Sequence, residues 1–140
     1  MDYKKCSSYS NDPLVVVEEN KCKFTVVNKS KSRILKLQVD KCLVTDDRER
    51  CDWMIGIESE DNLRMMYVEL KGKNVDKAIS QLKSTISFTK DKFSKHAREC
   101  YIVTTRFPKG GVEQRKLIMD FRKSTNAPLS FKNIMCSVTV

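Results

Sequence analysis

Glycine and proline are scarce in this 140-residue chain, four and three respectively, so neither a fibrous repeat nor a Gly/Pro-rich disordered tract fits it. Histidine occurs once, as His96, and no two of the six cysteines stand as C-x-x-C, which argues against a zinc site. No run approaches the roughly 20 apolar residues that cross a bilayer. The opening "MDYKKCSSYSNDP" also lacks the apolar middle of a signal peptide, so the expectation is a cytoplasmic protein without a membrane span. In that compartment Cys6, Cys22, Cys42, Cys51, Cys100 and Cys136 read as reduced thiols, and four of them (Cys42, Cys51, Cys100 and Cys136) lie in or beside apolar strand-like runs.

What the chain does have is positive charge. Twenty-seven Lys and Arg against eighteen Asp and Glu give +9 and a pI near 9.3, a balance that favours polyanionic partners such as nucleic acid. The length suits one domain with a core of its own.

Residues 1–13 are polar, end in "SNDP" and read as a flexible arm, leaving 14–140 as the domain. "LVVVEENKCKFTVV" places two β-branched runs around a turn at Glu19 and Asn20, and "NKSKSR" follows as an exposed basic loop. "ILKLQVDKCLV", "CDWMIGI" and "RMMYVEL" are three strands joined by short charged loops, which predicts an antiparallel meander. At Val75 the period changes. Val75, Ala78, Ile79, Leu82 and Ile86 share one helical face behind a capping Asn74, predicting a helix from 75 to about 93. "CYIVTT" is then a buried strand, and strand, helix, strand implies a parallel crossover. A second helix, "VEQRKLIMDFRK", turns Leu117, Ile118 and Phe121 inward, and "IMCSVTV" closes the chain as a strand. The expected fold is α/β, a mixed β-sheet built from a meander, a crossover helix and a following parallel strand.

The chemistry concentrates at "YVELKG", residues 67–72. Side chains alternate along a strand, so Glu69 and Lys71 share one face about 7 Å apart while Leu70 takes the other. Asp52 opens the preceding strand, and an antiparallel neighbour that begins with Asp sets it beside a strand that ends with Glu. Oxygen donors of this kind suit Mg²⁺ or Mn²⁺, so Asp52 and Glu69, with the Leu70 backbone carbonyl, form a candidate metal site. The tripeptide alone carries no weight, because "DYK" at 2–4 and "ENK" at 19–21 have the same pattern. Position does: only "ELK" ends an apolar strand, with a glycine exit into a helix.

Asp52, a sixteen-residue spacer, "ELK" at a strand end and a following helix that carries Gln81 together resemble the PD-(D/E)XK nuclease superfamily over residues 34–105. The resemblance implies a restriction-endonuclease-like core in which Asp52 and Glu69 bind the divalent ion, Lys71 assists the attacking water and Gln81 lies beside the site. Many members add a glutamate from a helix before the meander, where this chain has hairpin strands; Glu18, Glu19 or Asp40 are the acidic residues that could take that role. Gln81 sits on the flank of its helix, a place compatible with the strand end or with solvent. His96, in the polar "SKHARE", reads as exposed rather than as a general base. Lys73, Arg106 and Lys109 are expected to contact phosphates, and cutting both strands of a duplex would favour a homodimer.

Three readings follow as expectations. One is a divalent-metal-dependent endonuclease hydrolysing phosphodiester bonds, with DNA as the expected polymer. Another is a nuclease-fold module without turnover that binds nucleic acid or a protein. A basic protein whose "YVELKG" is only a surface strand is a third.

Overall fold

Asn20 and Lys21 both adopt left-handed backbone conformations, with φ of 51° and 63°, the requirement of a two-residue hairpin turn whose twist matches its strands. They join β2 (Leu14–Glu19) to β3 (Cys22–Val27) in antiparallel register, Glu19 opposite Cys22. The computed structural model describes residues 1–71, 74–105 and 110–140, with Lys71 given by its backbone alone.

The meander is present as β4 (Arg33–Gln38), β5 (Trp53–Ser59) and β6 (Asn62–Lys71), each antiparallel to the next. Helix α2 (Val75–Thr89) begins at Asn74, whose side chain accepts the Lys77 N–H. It returns the chain to β7 (Ala97–Thr104), parallel to β6 as the crossover requires. The same move is repeated by α3 (Gly111–Thr125), which leads to β8 (Leu129–Asn133), parallel to β7. Strand β9 (Met135–Thr139) then leaves this sheet and pairs parallel with β3.

Residues 1–13 depart from the expected arm. They hold a short helix, α1 (Tyr3–Cys6), and β1 (Ser7–Ser10), antiparallel to β4 at the sheet edge. The alternating polar "SSYS" carries no apolar signal, and its pairing is set by β4 rather than by propensity. The described residues therefore form a six-stranded mixed sheet, ordered β1-β4-β5-β6-β7-β8, and a three-stranded sheet, β2-β3-β9.

Alternation along β6 divides the core in two. Met65 and Tyr67 pack with Ala78, Leu82 and Ile86 of α2 and with Phe121 of α3, while Met66, Val68 and Leu70 pack against Val15, Val17 and Phe24 of the small sheet. The central sheet is thus covered by helices on one face and by the hairpin sheet on the other. No helix among the described residues is long and apolar enough to cross a membrane.

The cysteines correct a second expectation. Cys6 and Cys42 form a disulfide, with Cα atoms 5.7 Å apart, that ties α1 to the loop after β4; Cys22, Cys51, Cys100 and Cys136 are free and buried.

Candidate active site

The register Trp53 opposite Val68 continues one step outward to bring Asp52 opposite Glu69. Asp52 is 8% exposed and Glu69 1%, so two carboxylates are withdrawn from water at the place where β5 begins and β6 ends. By alternation Glu69 falls on the same face as Tyr67, towards α2. Asp52 Oδ2 accepts the Leu70 N–H at 2.8 Å, which fixes it across the end of β6.

Burial and the Glu69 charge push the Asp52 carboxyl far above the usual carboxylate range, and a hydrogen bond with Glu19 adds to the rise; among the described residues the Leu70 N–H opposes it. Burial and the Glu69 charge likewise drive the neighbouring Cys51 thiol upward.

Two further acids reach Asp52. Carboxylate oxygens of Glu19, Asp40 and Asp52 lie within 4.8 Å of one another. Glu19 comes from the hairpin tip, which is held over the end of β6 because the Asn20 side-chain amide donates to the Leu70 carbonyl at 2.9 Å. Asp40 comes from the end of β4, where the Val39 and Asp40 N–H groups both donate to the Asp52 carbonyl. Counter-charges stand at the rim: Arg50 Nε is 3.1 Å from Asp40, and Lys41 Nζ is 3.4 Å from Glu19. Glu18, the other glutamate considered, points away and pairs with Lys23 at 3.6 Å.

The helix is locked to the same corner. Thr85 Oγ1 accepts the Cys51 N–H at 2.7 Å and donates to the Gln81 carbonyl at 2.8 Å, so the face of α2 that carries Gln81 lies against the residue preceding Asp52. Gln81 and Asp40 line one cavity of about 340 Å³ together with Arg50 and Lys77. Gln81 Oε1 is buried there without a hydrogen-bond partner. Gln81 thus lies beside Asp40, on the rim of the acid cluster.

The remaining expected residues divide. The Leu70 carbonyl, expected as a metal ligand, is engaged by Asn20, and carboxylates are the richer oxygen donors at this corner. Lys71 is the last residue of β6, opposite Thr104 of the parallel β7; its side chain, with Lys73, Arg106 and Lys109, lies outside the described residues. His96 is not exposed as expected: its side chain is 11% exposed, edge-on to Phe93, with Nε2 3.9 Å from Glu58.

Asn20, which holds the hairpin tip over the end of β6, is the positioning residue that sequence reasoning missed. Its signal was available, since "ENK" at 19–21 has the same pattern as "ELK" and sits at a turn, but nothing local tells that the turn folds onto a strand end fifty residues away. Comparison with family models, with curated proteins and with solved structures returned no match.

Proposed function

We propose that this chain is a divalent-metal-dependent nuclease of the PD-(D/E)XK type, hydrolysing phosphodiester bonds of nucleic acid, with DNA the expected polymer. The reading is carried by one observation: Asp52 and Glu69 are buried opposite each other at a strand end, with Glu19 and Asp40 gathered at Asp52. Its support from topology is the order β4, β5, β6, α2, β7, which is the meander, crossover helix and parallel strand of that superfamily's core.

The donor set fits the ion. All four side chains offer oxygen, the preference of Mg²⁺ and Mn²⁺, and a carboxylate held protonated by its neighbours is one that a cation would ionise. When bound, such an ion lowers the pKa of a water and offsets charge on the phosphate. The chain's own residues would do the rest. Asp52 and Glu69 hold the ion, Glu19 and Asp40 supply further oxygens, Gln81 offers a fixed amide beside them, and Lys71 orients the attacking water.

A second reading, a nucleic-acid-binding module without turnover, is favoured by the Arg50 and Lys41 side chains, which already neutralise part of the acid cluster. The deciding test is a panel of single-stranded, duplex and branched DNA and RNA, with Mg²⁺ or Mn²⁺, against wild type, Asp52→Asn and Glu69→Gln. Metal-dependent cleavage lost in both variants is the expected result. No cleavage of any substrate with either ion sinks the enzyme reading and leaves the module.

A further inference from the structure

At the β1 edge of the six-stranded sheet, α1, β1 and the segment after α2 line a cavity of about 460 Å³. Its walls are aromatic. Tyr3 and Phe93 meet edge to face, ring centroids 5.9 Å apart, and Tyr9 of β1 is 48% exposed, a large ring that the fold leaves in water. Cations stand over these rings: the Arg33 guanidinium lies 3.9 Å from the Tyr9 centroid and Lys92 Nζ 5.2 Å from that of Tyr3, and Lys4 lines the same space. No carboxylate is among the lining side chains.

We propose that this cavity binds an unpaired nucleobase of a single-stranded nucleic acid, with the Tyr9 ring face opposite Arg33 as the stacking surface and Lys4 and Lys92 facing the adjoining phosphates. Every base has a π face, and aromatic rings interleaved with cations satisfy both halves of a single strand. A duplex presents phosphates but keeps its base faces stacked inside, so it can use the cations and not the rings. An apolar peptide would use the rings and leave the cations unanswered.

The placement relates the cavity to the acid cluster. Tyr9 is opposite Leu35 on β4, and Leu35 is four residues before Val39, which pairs with Asp52. That separation is about 13 Å along the strands and about 10 Å across them, a reach of a few nucleotides. The inference rests on the nuclease reading only for this link: the cavity would select strands with unpaired bases for cleavage at Asp52 and Glu69.

Fluorescence anisotropy of a labelled 12-nucleotide strand and of the same strand in duplex, in EDTA so that nothing is cut, tests it on the full chain. Tighter binding of the single strand is expected. Tyr9→Ala should weaken that binding by about 5- to 150-fold while leaving duplex binding unchanged, and Tyr9→Phe should retain it. Lys92→Ala should flatten the salt dependence for the single strand by about 0.7 in slope. Equal binding of the two forms, or a Tyr9→Ala effect that is absent or the same on both, overturns the proposal. These readouts need no metal and no turnover, so a cavity that fails and an enzyme that fails give different results.

Discussion

Replacing Asp52 by Asn should remove a pH dependence from the stability of the metal-free protein. Asp52 has a raised pKa in the folded chain, because burial and Glu69 disfavour its charge, against about 3.9 when unfolded. A group of this kind contributes its full stability below the unfolded value and loses it as pH rises towards the folded one. The loss is at most about 1.4 kcal/mol per pH unit, so wild type should lose roughly 1–3 kcal/mol from this group between pH 5 and pH 7. Asparagine resembles the protonated acid: its carbonyl still accepts the Leu70 N–H, and its amide still donates to Glu19. Urea unfolding of both proteins in EDTA across that range measures the difference, with the variant gaining on wild type as pH rises. A difference that stays constant from pH 5 to pH 7 would refute the crowded-carboxylate account.

Three other perturbations act on the parts that hold the site. Cys6→Ser opens a covalent loop spanning 36 residues and should cost about 4 kcal/mol, read as a lowered urea midpoint that reductant reproduces in wild type. Asn20→Ala loses the amide to the Leu70 carbonyl and places alanine at a φ of 51°, so a loss of about 1–3 kcal/mol is expected, again from denaturant unfolding. Thr85→Val strands the buried Cys51 N–H and should cost about 1–3 kcal/mol, with faster hydrogen exchange at that amide as the local readout.

The meander and crossover were legible because their signals are local. Apolar alternation marks β4 to β6, and the change of period at Val75 marks α2. The register that sets Asp52 against the end of β6 was legible for the same reason: adjacent antiparallel strands fix which residue stands opposite which once the loop is short. What could not be read depends on contacts far apart in the chain. "SSYS" becomes a strand through β4, and the short "LSFKN" extends the sheet only because α3 delivers it beside β7. Cysteine pairing is not encoded in spacing, so Cys6 to Cys42 was out of reach. Glu19 stood only as one of several acids because the approach of the hairpin to β6 is a packing of one sheet on the other, driven by Val15, Val17 and Phe24 against Val68 and Leu70.

The most direct test of the central claim is a calorimetric titration of Mn²⁺ into wild type and Glu69→Gln at pH 7, repeated in two buffers of different ionisation enthalpy. If the buried carboxylates form a cation site, wild type binds one ion in a saturable transition and releases protons as Asp52 ionises, and Glu69→Gln loses that transition. Wild-type heats no different from dilution, or saturable binding left intact by Glu69→Gln, would contradict the account.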